Sequence, residues 1–130
     1  MDEHLLNTIE SWRVKLAKNI AQRNPALSIN NLNSAVQKII NRIIFLRIAE
    51  DKERGNDAIL KTITNVENIY EVFNALVEKA NVKYNSGLFN SEDWLIHLTL
   101  DNKVLKDIID NLYYPECPYE FSVLPIEILG

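Results

Sequence analysis

The N-terminal segment alternates apolar and polar positions with the period of a helix. Apolar residues recur at intervals of three and four, which places them on one helical stripe. We expect this helix to run from about Glu3 to Arg23 and to end at Asn24-Pro25, because proline cannot continue a helix. The apolar positions of the stripe are Leu5, Ile9, Trp12, Leu16 and Ile20.

The next pattern predicts a long central helix over about residues 28–54. The Ser28 hydroxyl can accept a hydrogen bond from an amide of the first turn, and Gly55 supplies a typical end. From Ile39 to Ala49 the polar residues are Asn41, Arg42 and Arg47 alone. A helix that is apolar almost all round should lie in the middle of a bundle.

A third helical tract is predicted from Ala58 to about Ala80. We expect a break near Thr64-Asn65, where Asn65 could cap a new start. One face of the tract is then formed by Val66, Ile69, Tyr70, Phe73 and Leu76. The segment 83–93 has the composition of a loop, because it is rich in turn-forming residues around Gly87.

The C-terminal part of the chain predicts one more complete helix and the beginning of another. Residues 94–100 alternate too little to classify. Asp101 is expected to cap a helix that Pro115 stops. A last helix begins near Pro125, so that residues 125–130 would be the start of a truncated helix. We therefore expect the chain to be a fragment of a larger protein.

Composition supports a single helical domain over residues 1–130. Three glycines and four prolines in 130 residues favour long, uninterrupted helices. The expected fold class is all-α, an irregular bundle of about four to six helices around the long central helix.

Several classes of protein are excluded by simple features. No run of apolar residues is long enough to span a membrane, and the acidic N-terminus does not resemble a secretory signal, so we expect a cytoplasmic protein without a membrane partner. Cys117 cannot form an internal disulfide, because it is the single cysteine. His4 and His97 lie far apart in the sequence, and no metal-ligand spacing is present.

The charge distribution is polarised along the chain. The net charge is −4, which by itself argues against binding to a polyanion. The segment from Ser11 to Arg47, however, contains seven cations and no carboxylate, whereas residues 57–130 are strongly acidic. Such a basic segment suits a phosphate backbone, although its cations could also simply solvate the outer faces of two helices. The candidates for contacts with the DNA backbone are Arg13, Lys15, Lys18, Arg23 and Lys38.

The two arginines of the central helix have different surroundings. Arg42 lies on its apolar stripe and needs a partner from another helix, because an unpaired buried guanidinium is costly. Arg47 precedes Glu50 and Asp51 by three and four residues, so a local ion pair is possible. We interpret these four residues as structural ion-pair candidates. In the alternative interpretation, one arginine and the EDKERG segment contact DNA or a neighbouring domain.

Four separated segments of the chain are SWRVKLAKNIAQRNP, QKIINRIIFLRIAEDKERG, KYNSGLF and LYYPECPYEFSVLPIEILG. In this order, they resemble the helical region before the methyltransferase domain of fused restriction-modification enzymes. These are the type IIG enzymes, also classified as type IIS, in which one chain carries a nuclease, a helical connector and an adenine-specific DNA methyltransferase. The resemblance covers nearly the whole chain and is loosest over residues 56–82.

The resemblance implies a noncatalytic part of a catalytic protein. The chain contains no Asn-Pro-Pro-Tyr motif, no glycine-rich cofactor loop and no nuclease metal motif. Catalytic and metal-binding residues are therefore not expected here, and S-adenosylmethionine and Mg²⁺ are expected only in the missing domains of the parent enzyme. The implied partners are double-stranded DNA, through the parent, and the adjoining nuclease and methyltransferase domains. The alternative is a helical protein-protein interaction module that does not contact DNA.

Overall fold

The regular structure in the computed structural model is helical throughout the described residues, which are 3–52, 59–84 and 93–112. These ranges contain six α-helices and one 3₁₀ helix, which spans Ile63–Asn65. The α-helices are α1 (Glu3–Arg23), α2 (Ile29–Lys52), α3 (Ile59–Thr62), α4 (Ile69–Tyr84), α5 (Asp93–Ile96) and α6 (Asn102–Asp110). The prediction of an all-α bundle of four to six helices is confirmed.

Helix α1 has the bounds that its apolar stripe predicts. Trp12, Leu16 and Ile20 are buried in the core. The helix ends where the Asn24 amide and the Asn24 Nδ2 both donate to the carbonyl of Ile20, at 2.9 Å each. Pro25 follows in a turn, so the sequence signal for the end of the helix is confirmed.

Helix α2 is the predicted central helix. It begins at Ile29, and the Ser28 Oγ accepts a hydrogen bond from the Asn31 amide at 3.1 Å, which confirms the predicted cap. Its side chains from Arg42 to Ala49 are all buried, and the helix packs against α1, α3 and α4. The predicted end at Gly55 lies outside the described residues.

The predicted break in the third tract is present, but the prediction that Asn65 caps the next helix is wrong. Asn65 belongs to the 3₁₀ helix, and α4 begins only at Ile69. The Ile69 amide donates to Oδ1 of Asn102 at 3.1 Å, so the cap comes from a distant residue at the start of α6. Val66 precedes α4 and is 36% exposed, so it does not share the buried face of Ile69.

Asp101 occupies the N-cap position of α6, but its carboxylate does not make the predicted capping hydrogen bond. Instead, its side chain binds residues of α1. The apolar positions of α6 point into the core as the pattern predicts, with Leu105, Ile108 and Ile109 fully buried. The helix ends in a turn that includes Leu112, before the expected stop at Pro115.

Helix α6 runs antiparallel to α1. Arg23 at the end of α1 contacts Asp101 at the start of α6, while Lys15 lines the same depression as Asp110, near the end of α6. The two helices, together with α2, α4 and the shorter elements, enclose one hydrophobic cluster. In the described part of the chain, no helix is both long enough and apolar enough to cross a membrane.

Two predicted segments cannot be compared with the structure over most of their length. The predicted loop 83–93 begins inside α4, which extends to Tyr84, and its residues 85–92 lie outside the described ranges. The predicted final helix, residues 125–130, also lies outside them.

Candidate nucleic-acid interface and the polar junction

The five cations proposed to contact DNA lie on α1 and α2, but they do not share one face. Arg13 and Lys15 are two residues apart on α1, which places their side chains about 200° apart around the helix axis. Lys15 and Lys18 are exposed, whereas Lys38 on α2 is half-buried. The positive charge of the basic segment is therefore distributed around the helices.

Arg13 and Arg23, which belong to the five candidates, take part in ion pairs. Arg13 Nε lies 3.5 Å from Oε1 of Glu10, one turn earlier on α1. Arg23 binds Asp101 with two hydrogen bonds, from Nε to Oδ1 at 2.9 Å and from Nη2 to Oδ2 at 3.1 Å. Both pairs are solvent-exposed, so each is expected to contribute little to the stability of the fold.

Lys15 faces a depression of about 430 Å³ between α1, α3 and α6. The depression is also lined by Lys61, Asp107, Asp110 and Asn111. Its lining thus combines two cations with two carboxylates. Lys18 is also exposed on α1.

A polar junction fixes the start of α6; it consists of residues 99–102 with their partners Asn19, Arg23, Asn24, Glu67 and Ile69. Asn24 Nδ2 donates to the carbonyl of Thr99, and Asn24 Oδ1 accepts from the amide of Thr99, both at 2.9 Å. The Asn24 side chain therefore pairs with both backbone groups of one residue, as a neighbouring strand would.

Asn19 makes a second double contact in the junction. Its Oδ1 accepts from the amide of Asp101, and its Nδ2 donates to Oδ2 of the same residue, both at 2.9 Å. The hydrogen bonds from Arg23 hold the pKa of Asp101 below its usual range, although partial burial opposes this effect and Asn19 adds to it. The Asp101 carboxylate is therefore kept ionised by its α1 partners.

Asn102 extends the junction to α4. Its Oδ1 accepts from the Ile69 amide at 3.1 Å, and its Nδ2 donates to the carbonyl of Glu67 at 2.6 Å. Sequence reasoning did not find Asn19, Asn24 or Asn102 as contact residues. The available signal was the presence of asparagine at or near helix ends, where its side chain commonly bonds backbone groups.

The central ion-pair candidates form a second polar group, at the C-terminal half of α2. Arg47 Nη1 lies 4.0 Å from Oε1 of Glu50, as the sequence suggested, and Arg47 Nε donates to the carbonyl of Leu112 at 3.1 Å. Glu50 Oε2 accepts from the amide of Leu60 at 3.1 Å. The two side chains thus connect α2 to α3 and to the end of α6. The Asp51 side chain lies outside the described residues.

Arg42 is buried, with 3% of its surface exposed, close to Tyr70 of α4. Burial raises the pKa of Tyr70 to about 12, while a hydrogen bond with Asn74 and the positive charge of Arg42 act in the opposite direction. The Tyr70 hydroxyl donates to the carbonyl of Leu95. Arg42 therefore lies between α2 and α4, inside the bundle, where a DNA backbone could not reach it.

Within the described ranges, no group of three or more His, Cys, Asp or Glu residues is placed to hold a metal ion. The polar contacts described above join helix to helix, and their geometry is that of structural hydrogen bonds.

Comparison with known proteins gives one informative relative. No family model matches the chain, and no solved structure matches it. The chain is 36% identical, over 138 aligned positions that cover all of it, to the type II restriction enzyme and methyltransferase RM.Eco57I of Escherichia coli. It spans only 13% of the length of that relative. The chain is therefore related, over its whole length, to a segment of a fused type II restriction enzyme and methyltransferase.

Proposed function

We propose that this chain is a noncatalytic helical connector of a fused restriction-modification enzyme, between a nuclease and an adenine-specific DNA methyltransferase. The observation that carries the proposal is the similarity of the entire chain to a short part of a much longer restriction enzyme and methyltransferase. The contacts of the described residues support it, because the side chains of Asn19, Asn24 and Arg47 are used to fix helices against one another. In this proposal, S-adenosylmethionine and Mg²⁺ act in the other domains of the parent.

The connector also contacts the DNA backbone through the cations of α1 and α2. Lys15 and Lys18 are exposed on α1, and Lys38 lies on α2, the helix that packs against α1. Arg13 and Arg23 belong to the same proposed set, but each has a carboxylate neighbour. Phosphate contacts of this kind position a protein without reading sequence, so target recognition lies elsewhere in the parent.

The test compares two triple variants in the full chain. The variant K15Q/K18Q/K38Q removes three proposed contacts, and K79Q/K103Q/K106Q removes three exposed lysines of α4 and α6 with the same change in net charge. For each protein, the affinity for a DNA duplex is measured as a function of salt concentration. The slope of log K against log salt is negative, and each lost phosphate contact should make it shallower by about 0.9. For the first variant, the slope should therefore become shallower by up to about 2.7.

The control variant should keep the wild-type slope. In the parent enzyme that carries this chain, a noncatalytic role further requires that K15Q/K18Q/K38Q raises the KM for DNA while the kcat of methylation stays unchanged. Equal slopes in wild type and both variants would eliminate the DNA contact.

The alternative is a helical interaction module that binds the adjoining domains and does not contact DNA. The ion pairs of Arg13 and Arg23 favour it, because a carboxylate beside each guanidinium reduces the positive field of the basic segment. In this case, the salt dependence of DNA binding is unchanged in the α1 and α2 variant, while the measured association between this chain and the separated neighbouring domains persists.

A further inference from the structure

Asp101 has the position and backbone conformation of a helix cap but uses its side chain for another purpose. Its φ and ψ of −73° and 139° are typical of an N-cap residue, and aspartate is among the best capping residues. A capping carboxylate would accept from the amide of Lys103 or Val104, at the second and third positions of α6. The Asp101 carboxylate instead binds Arg23 and Asn19.

The Arg23–Asp101 pair is accessible to solvent. The side chain of Arg23 is 54% exposed and that of Asp101 is 38% exposed. An exposed ion pair is only weakly favourable, whereas a DNA phosphate offers the same bidentate geometry together with counterion release. Arg23 therefore has two possible partners of similar geometry, and Asp101 has a second use for its carboxylate at the start of α6.

Resting on the proposed DNA contact, we infer that Arg23 changes partner when DNA binds: its guanidinium leaves Asp101 for a backbone phosphate, and the released carboxylate caps α6. The exchange replaces one charged contact by two others, so neither Arg23 nor Asp101 is left without a partner. The exchange of partners thus controls whether Arg23 is available to bind DNA on the surface that the proposed function assigns to this contact.

The junction can survive this exchange because most of its hydrogen bonds do not involve Arg23. Asn24 keeps both of its bonds to Thr99, and Asn19 keeps its bond to the Asp101 amide, although its Nδ2 gives up the Asp101 carboxylate as an acceptor. These contacts hold residues 99–101 against the end of α1 while the Asp101 side chain rotates. The exchange therefore requires side-chain movement only.

The exchange predicts how substitutions of Arg23 and Asp101 act on DNA binding by the full chain. In R23Q, the negative slope of log K against log salt should become shallower by about 0.9, while K79Q on α4 should leave the slope unchanged. In D101S, the hydroxyl can cap α6 but cannot hold Arg23. Affinity for the same duplex should then rise about two- to fivefold at an unchanged slope, because the exposed ion pair need not be broken.

The double variant R23Q/D101S separates the exchange from a general charge effect. D101S should give no gain in affinity in the R23Q background. An equal gain in both backgrounds would show that the loss of a negative charge near DNA is responsible, and this result overturns the exchange. The thermal midpoint of each variant is measured in parallel, and D101S should not melt below wild type, since the serine supplies a cap.

Failure of the exchange and failure of the proposed function give different results. If K15Q/K18Q/K38Q reduces the slope but R23Q does not, DNA contact is supported and Arg23 remains bound to Asp101, so the exchange is wrong. If none of these variants changes the slope, both the DNA contact and the exchange are wrong. If R23Q lowers the slope and D101S has its effect only when Arg23 is present, the exchange is supported.

Discussion

Replacing Arg47 by methionine should destabilise the bundle more than replacing any exposed arginine. The side chain is 11% exposed and connects α2 to the end of α6 through the carbonyl of Leu112. Methionine fills a similar volume but cannot donate a hydrogen bond, so the variant tests the guanidinium with little change in packing.

The expected loss is worked from the contacts of the Arg47 guanidinium with Leu112 and Glu50. A hydrogen bond from a charged donor contributes about 1.5–3 kcal/mol, and that of Arg47 to Leu112 is buried. Glu50, whose side chain is 9% exposed, also loses its neighbouring cation. Removing one member of a buried pair costs about 3–5 kcal/mol, which we take as the total because the two effects overlap. Typical domains have a stability of about 5–15 kcal/mol, so this is a large fraction.

Urea unfolding followed by circular dichroism measures the effect. With an m-value of about 2 kcal/mol/M, the midpoint of R47M should fall by roughly 2 M. The matched control is R13M, which breaks the exposed pair with Glu10 and should cost less than about 1 kcal/mol. The double variant R47M/E50Q should recover part of the loss, since it no longer leaves a carboxylate beside an absent cation.

A loss in R47M no larger than that in R13M would refute this reasoning. It would show that Arg47 contributes only as much as a surface residue, and that the connection between α2 and the end of α6 does not depend on its charge.

Three further substitutions test other parts of the fold. Trp12→Ala removes a fully buried ring and should cost about 3–5 kcal/mol in urea unfolding; a cost below about 1 kcal/mol would contradict its place in the core. Ser28→Ala removes the cap of α2 and should cost about 1 kcal/mol, measured as a fall of roughly 4 °C in Tm. Tyr70→Phe should reduce the loss of stability at alkaline pH. The Tyr70 pKa of about 12 lies above the unfolded value of 10, so its stabilisation is complete below pH 10 and is lost as the pH rises towards 12. An equal alkaline loss in wild type and Tyr70→Phe, measured by unfolding at pH 9 and pH 11.5, would contradict this assignment.

The features that could be predicted from the sequence are those set by local interactions. The bounds of α1 follow from an apolar stripe and from Asn24-Pro25, which act within a few residues. The Ser28 cap is likewise local, because the hydroxyl and the Asn31 amide are three residues apart. The central position of α2 follows from its lack of a polar face.

The features that could not be predicted depend on residues brought together by the fold. The start of α4 at Ile69 is capped by Asn102, which is 33 residues away. Asp101 has the residue type and position of a cap, but competition from Arg23, 78 residues away, determines what its carboxylate binds. No local pattern contains these pairings. The prediction therefore placed Asp101 correctly at the N-cap position of α6 but was wrong about the hydrogen bonds of its carboxylate.

The candidate site shows the same difference between local features, which could be predicted, and contacts between distant residues, which could not. The sequence identified which residues carry positive charge, including Arg23 and Lys15, but it could not show which carboxylates lie beside them. It also identified Glu50 as a neighbour of Arg47, because the two are three residues apart, and missed the contact with Leu112, 65 residues away. The DNA contact itself stays a prediction.

The polar junction also has a consequence for the order of folding. It joins α1 to residues 75 to 82 positions later in the chain, and closing a loop of this length costs about 4 kcal/mol of chain entropy. Helices α1 and α2, by contrast, are joined by residues 24–28 and can pair early. During synthesis from the N-terminus, Asn19, Arg23 and Asn24 must therefore remain hydrated until residues 99–101 have left the ribosome. Polar side chains tolerate this exposure to water, whereas apolar side chains at the end of α1 would be exposed unfavourably throughout the same interval.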